Sequence, residues 1–405
     1  MRFNLARTAA RSAAVGGVAA LGLAALQAAA LAKPANVVHV PCNVSTLNTV
    51  ITDATAGETI VLAHGCAYDL PAALPNITVQ LTITGSQSAL QRSYATLTPA
   101  FTILTVTATG NLTLDHVNFD NGGGVVRDLV RGAIYNDDGP SYDGGALYND
   151  GGVIAVRGGT YSGNNGGEYG GAIYNYIGSL RVTGTTFINN SGYYGGAIYN
   201  NATANIIGAK FDHNASTGAY GGAIDNEDTM VLTHSDFASN STSEYGGAIY
   251  SEGSLTATDS AFQHNKAEYG GALYDEDTAA LTGTDFADNQ GYDGGAIYTD
   301  YSLTVDDGTF SHNIGNYGAG IYNDDETSLE HTDLSGNQAS EQGGGIYNDG
   351  TLGVGYGSID HNSAPGGGGG IYNFTSGLVA LTNAQIHNNK PDNCEPLGTI
   401  AGCTS

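Results

Sequence analysis

One apolar position recurs along most of this chain, at Leu147, Ile173, Ile198, Ile224, Ile249, Leu273, Ile297, Ile321, Ile346 and Ile371, at intervals of 24 to 26 residues. Each sits in a variant of one word: GGALYN, GGAIYN, GGAIDN, GGAIYS, GAGIYN or GGGIYN. A second anchor alternates with it, at Phe187, Phe211, Phe237, Phe262, Phe286, Phe310, Leu334 and Ile359. An asparagine follows this anchor three residues later, from Asn190 to Asn362. A weaker apolar segment precedes it, as at Leu180-Val182, Leu255, Leu281, Leu303-Val305 and Leu352-Val354. Each repeat therefore holds three short apolar stretches set off by Gly, Asn, Asp or Ser. They are too short for helices and alternate as strands do. A unit this small cannot bury its apolar face alone and must stack on its copies.

Three strands in 24–26 residues make one coil of an all-β, right-handed parallel β-helix, a solenoid of the pectate-lyase kind. The leucine-rich pattern L-x-x-L-x-L-x-x-N and the calcium-loaded word G-G-x-G-x-D are both missing from the sequence. Stacked coils lie about 4.8 Å apart, so equivalent residues touch their own kind along the axis. The Ile and Phe columns then fill the interior, and alternation turns Tyr to the opposite face. The paired glycines supply bends, and asparagine suits a left-handed turn and an amide ladder.

The ends read differently. Arg2, Arg7 and Arg11 precede an Ala/Leu/Val-rich run from Ala13 to Leu31, and Ala30-Leu31-Ala32 offers a small-x-small cleavage site. This predicts a signal peptide over 1–32 and export to the cell envelope or beyond. Residues 33–70 are expected to form an N-terminal cap. Its short amphipathic helix runs through Leu47, Val50, Ile51 and Ala54, with Ser45 as N-cap and Gly57 as stop. Strand-like runs follow the helix at Thr59–Leu62, Ile77–Ile83, Phe101–Val106 and Leu112–Phe119, and 71–143 is expected to form irregular first coils. The register breaks near 126–143, where Ile134 stands too close to Leu147. Regular coils are expected over 144–390 and a short tail over 391–405. Four cysteines lie in two close pairs, and an exported chain keeps disulfides, so Cys42–Cys66 and Cys394–Cys403 are the expected bridges.

The chain has 405 residues and a formal charge of −27. Beyond residue 32, nine basic residues stand against 39 acids, a formal charge of −30. Such a surface repels nucleic acid and anionic lipid and attracts cations.

The alternation of GGAI/GGAIYN with F-x-x-N resembles the repeats of the chlamydial polymorphic outer membrane proteins, over roughly residues 130–390. The resemblance implies a parallel β-helix displayed at a surface and linked to adhesion. The edges, with Val40-Pro41-Cys42, Gly65-Cys66-Ala67-Tyr68 and Pro391-Asp392-Asn393-Cys394, resemble secreted β-helix proteins of actinobacteria. The chlamydial proteins carry a C-terminal membrane barrel, whereas this sequence stops shortly after Cys403, so membrane insertion of the mature chain is not expected.

Three constellations are candidates for chemistry. An acidic column stands three residues after the Ile anchor, at Glu227, Glu252, Glu276, Asp300, Asp324 and Asp349, with Asp137 and Asp150 at the same offset earlier. Carboxylates stacked about 5 Å apart repel, on the order of 1 kcal/mol per pair in water. Calcium would relieve that repulsion, and it is the one cofactor these residues suggest, though none is required. The competing reading is a solvated acidic edge that resists aggregation. A tyrosine column follows the Ile anchor at Tyr148, Tyr174, Tyr199, Tyr250, Tyr274, Tyr298, Tyr322, Tyr347 and Tyr372, interrupted by Asp225. A second set precedes the glycines at Tyr169, Tyr194, Tyr220, Tyr245, Tyr269 and Tyr317. Such stripes stack on sugars or partner proteins, or on each other. His213, His264, His312 and His361 share an offset in alternate coils, too far apart for one metal, and read as a polar ladder with Asp288.

No catalytic residue is assigned. An active site is expected as a break in the repeat, and bases are scarce apart from Arg127 and Arg131 in the 126–143 stretch. The expectation is a non-catalytic adhesion or binding surface for a polysaccharide or surface protein. The alternative is a carbohydrate-active lyase or hydrolase on the same fold.

Overall fold

The computed structural model describes residues 36–93, 100–123, 144–398 and 400–403. The expected signal segment lies outside them. So does the whole of the 126–143 irregularity, with Arg127, Arg131, Ile134 and Asp137.

The repeat folds as a right-handed parallel β-helix. One coil shows the plan, with strands Ile198–Asn200, Thr203–Ile207 and Lys210–Asp212. Each pairs in parallel with its equivalents one coil before and after, so that Ile198 lies between Ile173 and Ile224. Three stacks result: an Ile sheet, a middle sheet and a Phe sheet. Ala204, Met230, Leu255, Ala279 and Leu303 form one inward column of the middle sheet, in unbroken register. The Phe rings stack almost parallel from Phe187 to Phe310, with centroids 4.6 to 4.8 Å apart. Tyr161 and Phe119 continue that stack into the earlier coils.

The corners explain much of the remaining sequence. Each regular coil turns through a left-handed residue at three places. One is the first glycine of the Gly-Gly pair, as at Gly246, φ 65°. The second glycine is required for a different reason: a Cβ on Gly247 would lie 2.0 Å from the carbonyl oxygen of Gly271. The other two corners mostly take Gly, Asn, Asp or His, which tolerate this conformation, with Ser239 and Tyr356 as exceptions. Asparagine was expected to make the turn after the Phe anchor. The residue before it does so, as at His264, φ 55°, and the asparagine itself points inward.

There it builds a ladder from Asn164 to Asn389. The side-chain oxygen of Asn265 accepts from the backbone nitrogen and Nδ2 of Asn240, both at 3.0 Å. Its own Nδ2 donates to Asn289 Oδ1 and to the carbonyl of Phe237, again at 3.0 Å. A second ladder, not foreseen, uses the last residue of the GGAIYN word. Asn149, Asn175, Asn200 and Asn226 are linked amide to amide at 2.7 to 2.8 Å. Ser251, Asp275 and Thr299 interrupt it before it resumes at Asn323.

At the N-terminus the helix α1 spans Val44–Thr52 and buries Leu47 and Ile51 against the first coils. Its cap is Asn43 rather than Ser45: the Asn43 side chain accepts from the Thr46 nitrogen at 2.8 Å. Asn43 lies just outside the helix in extended conformation, the geometry a cap requires, whereas Ser45 is already inside it. Cys42 is bonded to Cys66, and Cys394 to Cys403. Cys394 and Glu395 add a last short strand beside Ile371 and Tyr372. Among the described residues no helix is long and apolar enough to cross a membrane.

Candidate functional site

Alternation along the Ile sheet sends Ile224 into the core and its neighbour Asp225 to the other face, where the tyrosine column stands. Tyr148, Tyr174 and Tyr199 are in register before Asp225, and Tyr250 to Tyr372 after it. From Tyr274 to Tyr372 the rings stack with centroids 4.6 to 5.2 Å apart. The second tyrosine set forms its own stack, Tyr169 to Tyr269, at 5.3 to 5.6 Å. It folds over the first: Tyr220 lies 4.7 Å from Tyr250, and Tyr245 lies 4.9 Å from Tyr274. The column faces away from the core, as its alternation requires, yet five of its rings are buried. Their faces are occupied by other tyrosines, so edges and hydroxyls are what the groove presents.

The acidic column runs beside these hydroxyls and engages them. Tyr250 donates to Glu252 Oε1 at 2.7 Å, and Tyr274 to Asp300 Oδ2 at 2.5 Å. Burial, with the nearby carboxylates, pushes the Tyr250 and Tyr274 hydroxyls well above their usual range. Glu276 and Asp324 are also raised, first by burial and then by neighbouring acids. Asp349 accepts from the Ser376 hydroxyl at 2.6 Å, and Asp150 is exposed. Among the described residues no three His, Cys, Asp or Glu side chains are grouped so as to hold a metal ion.

The interruption at Asp225 is where the groove changes character. An aspartate here cannot fill the space of the ring that neighbouring coils supply. A cavity of about 260 Å³ lies beside it, lined by Tyr169, Tyr194, Tyr199, Tyr220 and Tyr250 with Glu227 and Glu252. Asp225 is fully buried, and among the described residues neither of its oxygens has a hydrogen-bond donor. Burial raises it well above the carboxylate range, reinforced by Glu227 and Glu252. Glu227 is pushed up to about 7, by burial and then by Glu252. Two of the six acids named from the sequence are thus brought together with a third that the sequence marked only as an interruption.

Two further breaks had gone unassigned. Asp293 replaces a tyrosine of the second row, between Tyr269 and Tyr317, and burial with Glu268 raises it to about 6. Asp275 stands inside the core, in the second asparagine ladder, and burial raises it to about 8. Each was legible as a charged residue at a position that is uncharged in adjacent coils. Of the expected histidine ladder one link is seen among the described residues, His264 Nε2 lying 3.9 Å from Asp288 Oδ2. His213, His264, His312 and His361 occupy left-handed corners, φ 52° to 56°, with exposed rings. His213 and His361 contact the aspartates that precede them, at 2.7 and 2.9 Å.

Comparison with known proteins is consistent with the repeat and goes little further. The repeat of the Chlamydia polymorphic membrane proteins matches residues 234–252 and 331–349. Both stretches run from a left-handed histidine corner through the GGAIYS or GGGIYN word to the acidic column, at Glu252 and Asp349. No curated protein matches the chain. Among solved structures it is similar to tailspike protein 3 of bacteriophage CBA120, with a TM-score of 0.44 and 10% identity, over 88% of this chain and 59% of that one. The chain thus spans less than two thirds of the tailspike protein, and so distant a likeness says nothing of activity or ligand.

Proposed function

We propose that this chain is an exported, non-catalytic binding rod that holds a glycan strand along its Tyr/acid groove. The observation that carries the reading is the repetition itself. Coil after coil presents phenol hydroxyls and carboxylates on one face, at the spacing of stacked strands. An array of this kind suits a polymer whose units repeat along the same direction. With a strong excess of acids, the ligand is neutral or cationic and a polyanion is repelled. Calcium held between successive acids of the column would tighten the groove without being part of the ligand.

A carbohydrate-active enzyme is the second reading, and one observation favours it. Burial and Glu252 push the Glu227 carboxyl up to about 7, the range a general acid needs, and the neighbouring Asp225 is raised in the same direction by burial. The deciding experiment incubates the protein with neutral and cationic polysaccharides, with calcium and with chelator, and scores retention and new reducing ends. Retention without cleavage is the expected result. New reducing or unsaturated ends would replace the binding rod by the enzyme, and absence of retention from every glycan would overturn both.

A further inference from the structure

We propose that this chain dimerises end to end, the strand Leu378–Thr382 of one copy lying antiparallel to the same strand of a second. The inference rests on the last coil of the rod and holds whether or not the groove binds a glycan.

Three observations converge. The first is an open sheet edge. Leu378–Thr382 pairs with Thr351–Gly355 in the coil before it, and Gln385–His387 pairs with Ser358–Asp360. Among the described residues neither has a strand on its far side, so backbone N–H and C=O groups are left facing outward. Protein edges ordinarily carry a charge, a proline or a bulge that keeps other chains away. Leu378–Thr382 reads LVALT and runs in unbroken register, so it has none of these.

The second is exposed core. Val379, Leu381 and Ile386 continue the inward columns of Leu352, Val354 and Ile359, which are buried. One coil later the same positions are only half-buried. Leu378 and Leu397, at 67% and 64%, are the most exposed large apolar side chains among the described residues. At the opposite end α1 closes the core by burying Leu47 and Ile51.

The third is charge, and it says what fits. No acid occurs between Phe374 and Pro391, whereas the coil from Asp324 to Asn348 holds Asp324, Asp325, Glu326, Glu330, Asp333 and Glu341. Two such rods repel along their acidic coils, but not where these last coils would meet. A basic partner would need acids here, and an acidic partner would find only His387 and Lys390. A second copy brings what the edge lacks: an apolar coil of the same outline with its own open strand.

The geometry is that of a twofold axis. Placed normal to the sheet at Ala380, the axis sets Val379 opposite the partner's Leu381 and keeps both turned inward, because residues two apart share a face. With the other end closed by α1, association stops at two copies and does not run on as a filament. The contact is one coil in cross-section, small for an interface, so half-dissociation at roughly 10 µM is expected.

The experiment is sedimentation velocity of the exported form, from Lys33 onward, over about 1 to 200 µM, a range that spans the expected midpoint. Mass is expected to double across it, and more readily at high salt, which screens the repulsion between the rods. Ala380→Cys should be trapped as a disulfide dimer under mild oxidation, because facing residues of an antiparallel pair lie within disulfide reach. Thr304→Cys lies in the same outward column inside the rod and should crosslink at least tenfold more slowly. Val379→Lys, which turns a charge into the contact, should weaken association more than tenfold. If that substitution loosens the last coil, the two cysteine variants, both on the outer face, still decide. The proposal is overturned if the chain stays single at the highest concentration, if mass grows past two copies, if salt dissolves the dimer, or if the two cysteines crosslink alike.

Discussion

Replacing Asn265 by alanine tests how the coils are held in register. The side chain makes four hydrogen bonds: it accepts from Asn240 N and Nδ2 and donates to Asn289 Oδ1 and the Phe237 carbonyl. Alanine removes all four. Asn289 Oδ1 keeps the bond from the Asn265 backbone nitrogen, and Asn240 Nδ2 keeps its bond to the Phe211 carbonyl. The Asn240 amide and the Phe237 carbonyl lose these partners in a dry interior. At about 1–3 kcal/mol for each buried group left unsatisfied, the expected loss is about 4 kcal/mol, including the small cavity. Asn265→Asp at neutral pH should be no better, because a carboxylate cannot donate to the two acceptors above and below it. The assay is denaturant unfolding together with native-state hydrogen exchange, because a solenoid need not unfold in one step. Exchange should accelerate at the Asn240 amide and in the adjoining coils first. A loss below about 1 kcal/mol, with the Asn240 amide still protected, would refute the reasoning.

Asp275, raised to about 8 by burial, keeps its proton in the folded state and gives it up near pH 4 when unfolded. Its contribution is thus fully present below about pH 4 and is lost as pH rises to about 8, at up to about 1.4 kcal/mol per pH unit, and Asp275→Asn should flatten that slope in denaturant titrations. Gly247→Ala drives a methyl into the Gly271 carbonyl and should cost about 3 kcal/mol, read as a lowered unfolding midpoint. His264→Asn should leave stability within about 0.5 kcal/mol, whereas His264→Val, β-branched at φ 55°, should cost about 1–2 kcal/mol in the same assay. Reducing the Cys42–Cys66 bridge, which closes a 24-residue separation, should cost about 3 kcal/mol, with faster exchange confined to α1 and the first coils.

The coils were legible because stacking forces equivalent residues into contact, so the Ile, Phe and Asn columns print themselves on the sequence at one period. The N-terminal helix was legible by its apolar spacing, but its cap was displaced by two residues, because Asn43 and Ser45 are both good caps and only backbone geometry separates them. The histidine column misled for a related reason. Periodicity marks a shared environment without saying which, and a left-handed corner favours His, Asn, Asp and Gly at a fixed offset just as a ligand site would. The burial of the tyrosines was not legible, since it depends on one row folding across another. Nor was the cavity, which depends on how the two tyrosine rows close around Glu227 and Glu252.

In an array this regular, chemistry enters where one coil departs from its neighbours, and the departures differ by the face they occupy. Asp225, Asp275 and Asp293 all put a carboxyl where adjacent coils carry an uncharged side chain, and burial raises all three. Asp275 points into the core, beside Thr299, where no ligand can reach it. Its effect is confined to stability. Asp225 is as deeply buried but belongs to the outer face, with a tyrosine-lined cavity next to it. Removing either carboxyl, as Asp275→Asn or Asp225→Tyr, should therefore raise stability at pH 8. A fall in stability at pH 8 for either variant would mean that its carboxyl is paired in the folded state and not merely buried.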